Sequence, residues 1–92
     1  MNPYGARARR HWQSHLPNRY REIENPDQFF TELGEQIGQQ IEELTRTLAG
    51  QDPEQETYLD KVGRLNMAQS TAEGQVLREM LPAPETDLSP TR

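Results

Sequence analysis

The chain has 92 residues, a formal net charge of −5 and no cysteine. This length allows one small domain, and the lack of cysteine excludes disulfides, thiol catalysis and thiolate metal sites. No apolar run approaches the roughly 20 residues that a membrane span needs, and no apolar segment follows the N-terminal arginines as a secretory signal requires. We therefore expect a cytoplasmic protein without membrane contact.

The apolar core is expected to be thin. Leu, Ile, Val and Phe together make up 16 of the 92 residues, which is below the roughly 20% under which charged chains tend towards disorder. The apolar residues recur at helical spacing, so we expect a folded protein. Because burial only balances chain entropy at this size, we expect self-association or a larger protein partner to supply further burial.

The first 21 residues contain five arginines and no acid. Asn2-Pro3 is a typical helix start, because Asn caps free amides and Pro suits the first helical position. The sequence predicts a short basic helix over about 3–16, within a basic arm 1–25. We expect Leu16, Tyr20 and Ile23, at the end of this arm, to cover the helices that follow.

One face of the basic helix combines aromatic side chains with arginines, the residue types that dominate protein–protein hot spots. We predict that this face is the principal partner-binding surface, formed by Tyr4, Arg7, Arg10 and Trp12. Packing of the aromatic face on the protein's own helices, with the arginines facing acids, is the alternative.

A second helix is predicted over about 26–49. It starts at Asn25-Pro26 and ends at Gly50, and its apolar residues follow the 3.6-residue period; they are Phe30, Leu33, Ile37, Ile41, Leu44 and Leu48. Gly34 and Gly38 interrupt this helix beside the apolar stripe. They indicate either close approach of two helices or a groove that admits a partner, and we include both among the partner-binding residues.

A third helix is predicted over about 53–81. Asp52-Pro53 with Gln55 resembles a capping box, and Pro82 stops the helix. Its inward stripe is expected to be Tyr58, Val62, Leu65, Gln69, Ala72, Val76 and Met80, flanked by Leu59 and Leu77.

The link between the second and third helices is expected to be only three residues long. Such a short link forces an antiparallel αα-hairpin with Leu44 near Leu59. The expected fold is thus all-α, a single helical domain over 1–81, followed by an extended, flexible Pro-rich tail over 82–92.

No catalytic, cofactor or metal site is predicted. His11 and His15 are spaced like a metal-binding pair, but Trp12 occupies the place of the glutamate that zinc proteases need, and no third ligand is evident. The carboxylates spread over outward faces, and no phosphate-binding loop is present. We therefore expect a protein that is not an enzyme and that takes no cofactor and no small-molecule substrate.

We thus expect a non-catalytic interaction protein, an accessory or assembly subunit that docks on a larger partner within a nucleic-acid-handling or mobile-element complex. Residues 1–21 carry +5 and the remainder −10, so nucleic acid is expected only as part of a complex. The arginines available for it are Arg7, Arg9, Arg10, Arg19 and Arg21. The alternatives are a small antitoxin-type DNA-binding regulator whose acidic C-terminal part neutralises a partner, and an acidic assembly scaffold.

Overall fold

The computed structural model describes residues 2–85, and within that range the chain forms helices that pack against each other, with no strand. The helices are α1 (Pro3–His15), α2 (Pro17–Arg21), α3 (Pro26–Ala49) and α4 (Tyr58–Met80). The all-α fold class is confirmed, and so are the helices predicted over about 3–16 and 26–49.

The predicted end signals of α1 and α3 act as expected. The Asn2 side chain accepts a hydrogen bond of 2.7 Å from the amide of Gly5, and the Asn25 side chain accepts one of 3.3 Å from the amide of Gln28. Each bond satisfies a first-turn amide that has no partner within the helix. Gly50 has a φ of 65°, the left-handed conformation in which glycine commonly ends a helix.

The short helix α2 was not predicted. Leu16 interrupts the helical backbone after His15 with a ψ of 50°, and Pro17 then takes the first position of a new helix, which suits its fixed φ. Leu16 itself is fully buried, and its expected role as cover for the later helices stays a prediction.

The predicted start of the third helix at residue 53 is wrong, because α4 begins at Tyr58. The cap is Thr57, whose hydroxyl accepts a 3.1 Å hydrogen bond from the amide of Asp60. Asp52 binds the side chains of Lys61 and Arg64 instead of capping a helix. The link between α3 and α4 therefore covers residues 50–57 rather than three residues.

The chain divides into two compact units, residues 2–36 with 81–85 and residues 37–80. α3 contributes residues to both. In the first unit the buried apolar side chains are Ala8, Trp12, Leu16 and Phe30. In the second they are Ile37, Ile41, Ala68, Ala72, Val76 and Leu77.

The longer link changes which parts of α3 and α4 are neighbours within residues 37–80. Leu44 lines a groove together with Val76, not with Leu59 as predicted. Leu48 lines another groove with Ala68, and Arg64 reaches back to the carbonyl of Ala49. The α4 residues before Arg64 are therefore left without a stretch of α3 opposite them.

Candidate interaction surfaces

Trp12 is buried, with an exposed fraction of 7%, whereas the sequence predicted an exposed side chain. The indole ring packs edge-on against Phe29 at 5.4 Å and Phe30 at 5.9 Å between ring centroids, and the Arg19 guanidinium lies 4.9 Å from the indole centroid. Such aromatic and cation–π pairs stabilise a packed cluster. The aromatic face of α1 thus packs within its own unit, as in the alternative reading of this helix.

Gly34 is buried where α3 meets the start of α1. A methyl group on Gly34 would lie 2.5 Å from the backbone nitrogen of Gly5 and 2.7 Å from its Cα. Close helix approach is therefore the role of Gly34, and the neighbour is α1 rather than the third helix or an outside partner. Gly38 lies in the other unit and is half-buried.

Arg9 belongs to an internal network. Its guanidinium forms a 2.6 Å ion pair with Asp27 and donates a 3.1 Å hydrogen bond to the hydroxyl of Tyr20. The hydrogen bond with Asp27 raises the pKa of Arg9, and the one from Arg9 lowers the pKa of Tyr20, with a further contribution from Gln13. Arg9 is thus paired rather than available to a phosphate.

The other predicted contact residues of the N-terminal arm fall into two groups: those with partners inside the chain and those that are exposed. Tyr4 is half-buried and interacts with other groups of the chain, and Arg21 donates to the side chain of Asn18. Arg7 and Arg10 are exposed, and neither forms an ion pair within residues 2–85. Their role in binding stays a prediction.

The first residues of the predicted flexible tail are bound to α1 and α2. The imidazole of His11 is 2.7 Å from the carbonyl of Pro82, and the amide of Glu85 donates a 2.8 Å hydrogen bond to the carbonyl of His15. The Glu85 carboxylate accepts hydrogen bonds from the amides of Asn18 and Arg19, the free amides of α2. Residues 82–85 are therefore tethered; residues 86–92 of the predicted tail lie outside the described range.

The N-terminal part of α4 exposes large apolar side chains. Tyr58 and Leu59 are each 78% exposed and Met67 is 72% exposed. This is the opposite of the inward orientation predicted for Tyr58, whereas Ala72 and Val76 of the same predicted stripe are buried. The apolar stripe of α4 is thus split, with its later half covered and its first half facing solvent.

Leu59, Gly63 and Met67 follow one another at four-residue spacing and form a ridge along α4, here called the α4 ridge. A methyl group on Gly63 would meet no atom within 4 Å, so the structure contains no close approach that requires glycine at this position. Beside Met67 lies an open groove of about 250 Å³, lined by Leu48, Arg64, Met67, Ala68 and Thr71. The α4 ridge therefore combines an exposed leucine, Leu59, with an open space at Gly63 and an apolar groove beside Met67.

A network around Arg64 fixes the link 50–57 against this part of α4. The Arg64 guanidinium holds both carboxylate oxygens of Glu56, at 2.7 and 3.0 Å, and one oxygen of Asp52 at 2.6 Å. The Glu56 side chain is only 8% exposed. The hydrogen bond with Glu56 is the main cause that raises the pKa of Arg64, and hydrogen bonds from Lys61 and then Arg64 lower that of Asp52. The contact of Arg64 with both carboxylate oxygens of Glu56 fixes the relative orientation of the two side chains.

The α4 ridge was not predicted, because the predicted helix start at residue 53 precedes the true start at Tyr58. The signal that identifies the true start is Thr57 with Asp60 three residues later, a capping pattern directly before an apolar pair. With this start, the link covers residues 50–57, so it no longer forces Tyr58 and Leu59 to lie opposite α3.

Within residues 2–85, no three His, Cys, Asp or Glu side chains are grouped as metal ligands. No helix in that range has the length and apolar character to cross a bilayer. No protein-family model, curated protein or solved structure matches the chain.

Proposed function

We propose that the chain is a non-catalytic interaction protein, an accessory or assembly subunit that docks on another protein through the α4 ridge. The observation that carries this proposal is the exposure of Leu59 and Met67 on one row of a helix. Single exposed apolar residues are normal on protein surfaces, whereas adjacent large ones mark contact sites. The principal contact surface is then on α4 rather than on the basic helix α1.

Residues 37–80 serve as the scaffold in this proposal, as an antiparallel hairpin of α3 and α4. The order of neighbours supports it, because later residues of α3 lie beside earlier residues of α4: Leu44 with Val76 and Leu48 with Ala68. The Arg64 network supports a surface that is held in place before binding, which lowers the entropy lost on association.

The composition of the surface also supports docking. The exposed side chains between Leu65 and Thr71 carry no charge, although 27% of the chain is charged, while Asp60, Lys61 and Arg64 lie nearer the start of the α4 ridge. An uncharged surface that contains methionine and borders charged residues resembles the core and rim of a protein interface. A cytoplasmic location stays part of the proposal.

Affinity capture from the native host with the full chain as bait tests this proposal. Leu59→Glu places a charge on the α4 ridge, and Ser14→Glu adds the same charge on exposed α1 as a matched control. We expect a specific partner, or a second copy of the chain, to be retained by the wild type and by Ser14→Glu and lost by Leu59→Glu. Retention by all three baits would show that binding uses another surface.

The antitoxin-type DNA-binding regulator remains the second candidate. The observation that favours it is that Arg7 and Arg10 are exposed and without ion pairs within residues 2–85, one helical turn apart on α1. Arginines in this position suit contacts with phosphates.

A further inference from the structure

We infer that the partner of the α4 ridge is a second copy of this chain, bound so that the two α4 helices cross at Gly63. This inference rests on the proposed docking function of the α4 ridge and names its occupant. Three features of the α4 ridge support a second copy: its symmetry about Gly63, the open space at Gly63 and its charge pattern.

The ridge is complementary to itself. Leu59 and Met67 lie four residues to either side of Gly63, each about 6 Å along the helix axis. A two-fold axis at Gly63 that is perpendicular to the helix axes makes the two α4 helices antiparallel and places Leu59 of each copy beside Met67 of the other, at the groove that Leu48 and Ala68 line. Such reciprocal contact, in which each residue of a pair meets the other across the axis, defines an interface between identical subunits.

Gly63 occupies the point where the two helix axes come closest. Glycine inside a helix costs up to about 1 kcal/mol relative to alanine, and nothing within the chain lies near enough to require it. Gly34 shows what such a requirement looks like, since the backbone of Gly5 fills the space that a methyl group would take. The backbone of a second α4 helix would fill the space beside Gly63 in the same way.

The charge pattern favours this crossing although the chain carries −5 overall. About the axis at Gly63, residues 59–61 of α4 in one copy face residues 65–67 in the other. The first segment holds Asp60 and Lys61, and the second holds no charged residue. Asp60 then faces Asn66, whose amide is a hydrogen-bond donor, and no acid faces another acid.

The area is that of a small, reversible contact. Leu59 and Met67 are 78% and 72% exposed, whereas Tyr58, five residues before Gly63, lies about 140° around the helix from it and does not contribute. Two large side chains per copy fall short of the roughly 800 Å² per partner of a standard interface, so we expect a weak dimer that forms at high protein concentration.

Sedimentation equilibrium of the purified full chain, from low micromolar to about millimolar protein, tests the inference. We expect a reversible monomer–dimer equilibrium. Gly63→Ala should raise the dimer dissociation constant at least tenfold, while it raises the unfolding midpoint of the dilute monomer, because alanine is the better helix former. The matched control Gly74→Ala, also on α4, would meet only the end of Arg78 at 3.7 Å and should leave the dissociation constant unchanged.

A second readout locates the axis. The chain has no cysteine, so Gly63→Cys introduces one thiol. Two such thiols at the crossing would form a disulfide under mild oxidation, since this bond needs Cα atoms about 4.4–6.8 Å apart. Ser14→Cys on α1 should not cross-link. A chain that stays monomeric at every concentration overturns the inference, as does a dimer insensitive to Gly63→Ala. If that monomer still captures another protein through Leu59, the inference fails while the proposed function stands.

Discussion

Gly34 and Gly5 lie so close that a methyl group on Gly34 would be 2.5 Å from the backbone nitrogen of Gly5. The start of α1 therefore packs on α3 through this pair. Because backbone atoms cannot move aside as a flexible side chain can, a methyl group at Gly34 would push the two helices apart. We predict that Gly34→Ala destabilises the protein by about 1–3 kcal/mol, the usual range for overpacking, as measured by urea unfolding.

The matched control for this prediction is Gly74→Ala. It is also a glycine inside a helix, and its added methyl group would make only an ordinary contact with Arg78. It should be neutral or stabilise the protein by up to about 1 kcal/mol. Stabilisation by both substitutions would show that α1 is not held against Gly34 in solution.

Trp12→Ala should destabilise the protein by about 3–5 kcal/mol, as removal of a buried aromatic side chain usually does. Trp12→Phe should cost less, because it keeps a ring against Phe29 and Phe30 and removes an indole N–H that has no acceptor within the described residues. Arg7→Ala, at an exposed position, should change stability by less than about 0.5 kcal/mol. Thermal unfolding followed by near-UV circular dichroism measures all three, and a neutral Trp12→Ala would refute the buried cluster.

Glu85→Ala should release the segment that follows α4 from α2. The Glu85 carboxylate accepts a hydrogen bond of 2.8 Å from the amide of Arg19 and a weaker one from that of Asn18. Loss of such a bond costs about 1 kcal/mol, so amide hydrogen exchange at these two positions should accelerate roughly fivefold. Glu24→Ala, an exposed carboxylate, is the control and should leave both rates unchanged. Equal rates in the wild type and Glu85→Ala would exclude the tether.

The Asp52 contacts should make stability depend on pH in the acid range. Hydrogen bonds from Lys61 and Arg64 hold the pKa of Asp52 below its usual value of 3.8. Because the pKa is lower in the folded state, the contacts stabilise the fold above that value, and the stabilisation is lost as the pH falls through the folded-state pKa. Asp52→Asn should therefore unfold at lower urea than the wild type at pH 7, and the two should converge below about pH 3.8.

Glu54→Gln is the control for the acid prediction, since Glu54 lies in the same link and forms no ion pair within residues 2–85. Its unfolding midpoint should follow that of the wild type across the whole pH range. A difference between wild type and Asp52→Asn that does not shrink as the pH falls from 7 through the acid range would mean that the ion pairs are not its cause.

Arg7 and Arg10 decide whether α1 contacts nucleic acid. For the isolated chain we expect only non-specific duplex binding, with dissociation constants of about 10⁻⁴–10⁻⁶ M. Arg7→Glu/Arg10→Glu should weaken it and reduce the slope of log K against log salt by roughly 2. Arg9→Gln should have little effect, because Arg9 is already paired with Asp27. Fluorescence anisotropy across a salt series measures this, and tight sequence-specific binding lost in the double variant would favour the DNA-binding regulator.

Signals carried by neighbouring residues predicted the helices well. Asn2, Asn25 and Gly50 mark helix ends by side-chain or backbone chemistry that does not depend on the rest of the fold. The predicted start of α4 was wrong because Asp52-Pro53 and Thr57 are both plausible helix starts. Only the ion pairs of Asp52 with Lys61 and Arg64 decide between them. The burial of Trp12 depends likewise on residues distant in the sequence. The amphipathic pattern of α1 alone fits an exposed aromatic face as well as a buried one.

The most direct test of the α4 ridge as the contact surface is amide hydrogen exchange at two protein concentrations, followed by mass spectrometry. In the dilute monomer, residues 58–67 have few buried neighbours and should exchange fast. At concentrations that favour the dimer, we expect exchange to slow in peptides covering 58–67 and to stay constant in those covering 3–15. Unchanged exchange in 58–67 at the higher concentration, or slowing confined to 3–15, would contradict the account.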